Sequence, residues 1–568
     1  MASRTRCRSI MAKEGPTDNL LKRLTESSIT SPLLEKKGSF VVDDTLGVSL
    51  IFAALFSQKP ANYAIVANNL YSAQRIYEFL LNFLQEDQVV FFPSDELLRA
   101  ESLASGRELL SQRLYALGQL QNGKKKILVT HPAALLRYLP DPKRFAEETL
   151  KFKKGDHFDL AKLKMRLLEM GYQGINKIDH SLEFASRGDI LDVYSVSYLD
   201  PIRIEFFDDE IESIRTFDIQ TQTSKGELEE ATILPATDIF LNDDELSDFM
   251  IRAKEQLSKD KSTLSPAVGA LLEQNVGLDL ENFVTHDYKN ELYKYYGFAL
   301  GKAFSVFSYC DTDITYIANK EQFIAASDLL INEAHDYFGD LQIKARIISH
   351  LEEYMPVEKA IPSKHNVVYS HTYATTADDI QFVARPIITT GTNIANIVPT
   401  IETYLGSKDQ VVLALHEKHQ IETVESFLND QKIPFEHVEG FDLPKGNLGI
   451  ADLSLSEGFE IPSLKIAYIS SNELFGHKIA SSRFTSRFKD ATILRSYEDL
   501  HPGDYVVHEY NGIGQFLGIK TIEQNGIHRD YLHIAYAGNE FLYVPLEQFR
   551  LVRKYAGKEG AAPRLSHL

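Results

Sequence analysis

Between residues 39 and 130, short apolar runs alternate with longer amphipathic stretches. Ser39–Val42, Asn62–Ala67, Val89–Phe92 and Lys126–Thr130 predict buried strands, and Leu50–Phe56, Leu70–Leu84 and Leu109–Gln121 predict the helices between them. Strands that alternate with helices in this way form a parallel α/β sheet. Pro140 and Pro142 punctuate its end. The period then changes. After a helix at Asp159–Met170, the chain from Gly171 to Asp218 alternates every second residue, with Asp208-Asp209 at a hairpin turn. This predicts a small antiparallel α+β domain that closes near Pro235.

Residues 236–365 are polar and mainly helical, with a short strand expected at Ser305–Tyr309. A second α/β unit follows over 366–480, with strands Gln410–Leu415, Leu448–Asp452 and Leu464–Ser470 and a helix Lys418–Asn429. Lys478–Asp490, polar and bearing Ser and Arg, reads as a linker. In the last 70 or so residues, short strands are separated by Asn511-Gly512, Asn525-Gly526 and Gly538-Asn539. Asn and Gly accept the positive φ that tight turns demand. Strands of this length and spacing predict a small SH3- or Tudor-like barrel.

Charge narrows the partners. The 568 residues carry 60 Lys and Arg against 80 Asp and Glu, a net charge of −20, so a broad grip on duplex DNA is disfavoured. Two cysteines, Cys7 and Cys310, allow no disulfide framework and no Cys-based zinc site, which fits a cytoplasmic protein. The longest apolar stretch, near Val48–Phe56, is too short to span a bilayer. Arg4, Arg6 and Arg8 lack the apolar core of a signal peptide, and residues 1–11 read as a disordered extension.

Catalytic signatures are degenerate. Gly118–Lys125 fits G-x-x-x-x-G-K, but Lys125 stands where Ser or Thr should hold magnesium, and the motif runs from helix into strand, the reverse of a phosphate loop. The loop Asp43–Ser49 stands in the correct place, between strand and helix. It has one Gly, no Lys, and two carboxylates that would repel a triphosphate. Asp95-Glu96 reads as the acidic first turn of a helix, and His416/His419 as a solvated pair rather than zinc ligands. No catalytic residue, metal ligand or cofactor site is assigned, and interaction becomes the expected role.

Three stretches carry a family resemblance. "EFASRGDILDVYSVSYLDPIRIEFFDDEIESIRTFD" resembles the UvrA-binding domain of the excision-repair protein UvrB. "LSEGFEIPSLKIAYISSNELFG" is similar to the linking α/β domain of the transcription-repair coupling factor family. "LHPGDYVVHEYNGIGQFLGIKTIEQNGIHRDYLHIAYAGNEFLYVPLEQFRLV" resembles that family's RNA polymerase-interacting domain, akin to the CarD regulators. The order is the family's own.

The resemblance implies this organisation. A degenerate UvrB/helicase-like parallel α/β domain (12–145) continues at 236–365, with the α+β UvrA-binding domain (146–235) inserted. A linking α/β domain (366–480), a linker (481–494) and a CarD-like β-barrel (495–556) follow, and 557–568 begin a connection to a translocase. It implies UvrA and the RNA polymerase β subunit as partners, with no membrane. DNA contact, ATP and magnesium would belong mainly to the translocase half, which these residues lack.

Two sets of contact residues follow. In Ile202–Phe207 the apolar Ile202, Ile204 and Phe206 alternate with Arg203, Glu205 and Phe207, so one face presents a cation, an anion and a large aromatic. An ordinary sheet face, with Phe207 partly covered by the next strand, is the alternative. The family motif maps its UvrA contact onto Arg187, Arg203 and Phe207. In the last domain, Gly518–Ile522 could form an open strand edge, or one protected by Lys520 and Glu523. The resemblance implies docking on polymerase by strand addition through Lys520, Thr521, Ile522 and Glu523. Rival readings are an ATP-dependent helicase and a free-standing CarD-like regulator.

Overall fold

Four-residue apolar runs without a polar interruption suit a sheet covered on both faces, and that is where they lie. The computed structural model describes residues 19–27, 30–35, 40–42, 45–94, 105–219, 221–285, 290–300, 302–361, 366–371, 379–387, 397–406, 410–475, 503–508, 512–524, 527–545 and 552–554. The extension 1–11, the carboxylates Asp43-Asp44 and Asp95-Glu96, the linker 481–494 and the segment 557–568 lie outside them, as do Asn511 and Asn525-Gly526. The chain divides into two units, Met1–Arg487 and Phe488–Leu568.

The larger unit is built on a seven-stranded parallel sheet. Its order is Ile380–Phe382, Phe40–Val42, Val367–His371, Ile314–Ile317, Tyr63–Val66, Ile127–Thr130 and Val89–Phe91. Strands Val367–His371 and Ile380–Phe382, read from the sequence as the start of the second α/β unit, thus complete the first sheet. The helix expected at Leu50–Phe56 runs from Thr45 to Gln58, with every residue from Leu46 to Phe56 buried. Most of the loop read at Asp43–Ser49 is therefore its first turns, and Ser49 Oγ donates back to the Thr45 carbonyl at 2.7 Å. The segment Ser305–Tyr309 is not a strand. Ser305 caps a short 3-10 turn, Val306–Ser308, and its hydroxyl donates to the Ala360 carbonyl at 2.6 Å. Gly118–Gly123 closes the helix Ser105–Leu120 in a turn, and Lys124 pairs with Asp87 at 2.7 Å.

The inserted domain enters and leaves through one antiparallel pair, Leu150–Lys153 with Glu230–Ile233. Between them lies a six-stranded sheet in the order Ser224–Leu228, Glu210–Phe217, Ile202–Phe207, Ile190–Val193, Glu183–Arg187 and Gln173–Gly174. All its pairings are antiparallel except the last. Helix Leu160–Glu169, capped by Asp159, buries Leu163 and Leu167. Where the chain returns, Asp238 is 2% exposed and accepts from Arg113 at 2.8 Å and Arg137 at 3.3 Å. The Arg137 guanidinium lies 3.4 Å above the Tyr293 ring. This buried cluster ties together segments that lie before and after the insert.

A helical hairpin, Asp243–Ser262 and Pro266–Val284, and the long helix Lys320–Ile343 complete the first domain. A second, six-stranded sheet runs Arg385–Pro386, Phe459–Ile461, Ile466–Ser470, Gln410–Leu415, Leu448–Asp452 and Glu436–Val438. Its last four strands are parallel. It is pinned to helix Leu70–Leu80: Arg75 donates twice to Glu457 at 2.8 Å, and Phe79 meets Phe459 edge-on at 5.6 Å. In the following turn, Phe83 stacks on Phe441 at 4.3 Å.

The smaller unit is one five-stranded antiparallel sheet. Its order is Phe541–Pro545, Ile527–Ala535, Gly512–Gln524, Tyr505–His508 and Val552–Lys554. Its core comprises Val506, Phe516, Leu532, Ile534, Tyr536, Val544 and Val552.

Candidate docking surfaces

Alternation along Ile202–Phe207 produces two unlike faces. Ile202, Ile204 and Phe206 are buried, whereas Phe207 is 75% exposed. Phe207 and Glu210 are paired across the hairpin turn, where Asp208 adopts a left-handed φ of 60°. A neighbouring loop clamps that turn. The Phe158 amide donates to the Asp209 carbonyl at 2.8 Å, and His157 Nδ1 lies 2.9 Å from the Asp209 carboxylate. The aromatic ring is thus held out on a fixed turn, which lowers the ordering cost of burying it against a partner.

Arg203 is placed differently from Phe207. Its Nε and Nη2 donate to the two oxygens of Asp192, on the next strand, at 2.7 and 2.8 Å. Nη2 donates also to Gln222 Oε1 at 3.1 Å, and the guanidinium lies 4.4 Å over the Phe217 ring. Donating to Asp192 raises the arginine above its ordinary range. Alongside, Arg215 pairs with Glu205, which also accepts from Ser213 at 2.9 Å. Burial alone would raise the Glu205 carboxyl, but these partners overcome it and hold it below the usual value. Arg187 is exposed at the end of its strand, opposite Ile190, and forms no ion pair among the described residues. The three predicted residues therefore share one sheet but differ in state: Phe207 and Arg187 are exposed, whereas Arg203 is already held. Alternation along a single strand exposed Phe207 in the sequence. The hold on Arg203 comes from another strand and from a loop, so no local pattern announces it.

In the smaller unit the long strand Gly512–Gln524 changes neighbours midway. Gly512–Gln515 pairs with Tyr505–His508, and Phe516 exchanges backbone bonds with Gly503 and Asp504 at 2.8 Å. A register shift follows between Phe516 and Gly518, where Gly518 takes φ +134°. A glycine suits this bulge, because a side chain at that φ is strained. Beyond it the strand pairs with Ile527–Ala535 on one side only, among the described residues. Leu517 and Ile519, at the start of this half-open stretch, are 40% and 47% exposed. Lys520 is exposed, and its Nζ lies 3.3 Å from the Tyr543 hydroxyl. Thr521, Ile522 and Glu523 pair through their backbones with Asp530, Arg529 and His528. Their side chains lie outside the described residues.

Comparison with known proteins gives both surfaces a relative. Residues 150–239 match the UvrB interaction domain family, and residues 500–556 match the CarD-like/TRCF RID domain family. The transcription-repair-coupling factor of Bacillus subtilis (strain 168) is 29% identical over 530 residues, 92% of this chain and 45% of that protein. Those of Staphylococcus haemolyticus and Staphylococcus aureus (strain MRSA252) are 26% and 27% identical over 91% of this chain. The chain is a relative of the transcription-repair coupling factors. The resemblance drawn from the three sequence stretches is borne out. The chain spans less than half the length of these coupling factors. Among the described residues, no helix is long and apolar enough to cross a membrane.

Proposed function

We propose that these residues form the recruitment half of a transcription-repair coupling factor. In this reading the C-terminal unit, a CarD-like SH3/Tudor-type barrel, holds stalled RNA polymerase through its β subunit. The inserted domain recruits UvrA through Arg187, Arg203 and Phe207. The ATP-driven translocase, with its magnesium and most of its DNA contact, would lie outside this chain, which itself would need no cofactor and act in the cytoplasm. One observation carries the reading: a UvrB-type interaction domain with Phe207 75% exposed shares a chain with a CarD-like module. Large aromatics and arginines are the residue types that most often anchor an interface, and here both stand on one sheet face.

On the polymerase side, the half-open strand after Gly518 supports strand addition, in which Lys520–Glu523 would supply backbone donors and acceptors. The test is a bridge. Immobilised RNA polymerase should retain UvrA only when the chain is added. Arg203→Glu should release UvrA while leaving the chain on polymerase, and Ile522→Arg should release both. Retention of UvrA by the Arg203→Glu chain, or no bridge with the unaltered chain, would overturn the proposal.

A further inference from the structure

Four of the described contacts around Arg203 act in one direction: they fix which edge of its guanidinium faces outward. Nε and both Nη2 hydrogens are directed to Asp192 and Gln222, and the flat face rests on Phe217. Nη1 has no hydrogen-bond partner among the described residues, so two N–H donors remain on one edge. The loop that supplies Gln222 is itself held. Gln222 adopts a left-handed φ of 62°, and its amide donates to the Asp218 carbonyl at 2.7 Å. The Gln222 side-chain Nε2 donates to the Ile219 carbonyl at 2.8 Å, leaving Oε1 for Arg203. Lys225 fastens the same loop by pairing with Asp218 at 3.0 Å and Asp200 at 2.8 Å. A non-glycine residue held at positive φ is strained, and such strain concentrates where a side chain must be aimed.

We infer that Asp192 and Gln222 are positioning residues for the UvrA contact, holding Arg203 so that only its Nη1 edge is offered to an acceptor oxygen on the partner. The inference rests on the proposed UvrA-binding reading of this surface. It also specifies the partner's chemistry. Because Asp192 neutralises Arg203, and Glu205 neutralises Arg215, this face offers directed donors around Phe207 rather than a field of positive charge. Arg187 adds a cation that forms no ion pair among the described residues. The complementary surface is therefore an apolar pocket for Phe207, flanked by one anion for Arg187 and one carbonyl or carboxylate oxygen for Arg203.

The test measures UvrA affinity and chain stability together, on the full chain. Asp192→Asn keeps the shape but not the charge, and should weaken UvrA binding roughly tenfold. A merely released arginine, free to find a carboxylate on UvrA, would instead bind tighter, and a gain in affinity overturns the inference. Gln222→Gly removes the side chain and relieves the positive φ. It should weaken binding about three- to tenfold with the melting temperature unchanged or raised. A role confined to stability predicts no loss of affinity at all in this stable variant, and that result also overturns the inference. In an Arg203→Ala background both substitutions should have no further effect on affinity, whereas full additivity would show that they act elsewhere. If Arg187→Ala and Phe207→Ala leave UvrA binding intact, the surface reading itself fails. If those two lose binding while Asp192→Asn and Gln222→Gly do not, only the positioning role fails.

Discussion

If the proposed UvrA contact holds, replacing Phe207 with alanine should separate binding from folding. A phenylalanine carries on the order of 200 Å² that burial can remove. At 75% exposure, about 150 Å² of it is open to a partner. At about 25 cal/mol per Å² that area represents an upper limit of about 4 kcal/mol. Alanine keeps the Cβ, and some of the gain offsets the ordering of groups around the ring. The expected loss is therefore about 2–3 kcal/mol, or roughly 30- to 150-fold in Kd. Because the ring contributes little to the domain's own core, stability should change by no more than about 0.5 kcal/mol. Isothermal titration of UvrA gives a second check, since apolar burial makes the binding heat capacity negative. Removing about 150 Å² should make it less negative by roughly 70 cal/mol/K. A Kd within threefold of the unaltered chain would refute the anchor role, and so would a melting temperature several degrees lower.

The remaining expectations concern the scaffold. Asp238→Asn leaves Arg113 and Arg137 buried with half their acceptor, and should cost about 2–4 kcal/mol, read by calorimetry as a lower melting temperature of the larger unit. Burial opposes ionisation of Asp238, but the two arginines hold its carboxyl down to about 2. Its stabilisation is therefore complete above about pH 4 and lost as pH falls toward 2, so the gap between variant and parent should narrow across that window. Half-buried Glu353 behaves oppositely: burial pushes its carboxyl up to about 7 despite Arg137 and Lys294. The folded state keeps its proton while the unfolded chain loses it. Stability should thus fall as pH rises from about 4.5 to 7, and Glu353→Gln should flatten that slope, gaining about 1–3 kcal/mol at neutral pH in a urea titration. Arg75→Ala should cost about 1 kcal/mol or less, because the pair with Glu457 is partly exposed, and should raise amide exchange in Phe459–Ile461 more than in Tyr63–Val66.

Much of this architecture could be read from spacing. The runs around Tyr63–Val66 and Ile127–Thr130 are apolar on both faces because helices cover both sides of that sheet. The alternation of Ile202–Phe207 survives because only one face of its sheet is covered. Ile314–Ile317 escaped notice because a four-residue strand flanked by Asp313 and Asn319 carries too little pattern. Val367–His371 could be assigned to the wrong sheet because periodicity identifies a strand and not its neighbours. Ser305–Tyr309 has the apolar character of a strand, but its local hydrogen bonds compete with sheet formation, and the serine cap prevails. At the candidate docking surface, exposure of Phe207 was legible from one strand. The hold on Arg203 needed Asp192 and Gln222, which lie 11 residues before it and 19 after it.

The central sheet also sets a timetable for synthesis. Tyr63–Val66 must wait for Ile314–Ile317, about 250 residues later, before one of its sides is covered. At ribosomal speeds of about 5–20 residues per second, that is a delay of roughly ten to fifty seconds. During that interval the intervening α+β insert, closed by its own terminal strand pair, can fold first and bring the two halves together. Tyr63–Val66 meanwhile keeps one unpaired parallel edge, and Phe40–Val42 waits for both of its neighbours. Chaperone engagement of ribosome-bound chains should therefore peak before residue 314 emerges and drop once residue 371 has cleared the exit tunnel.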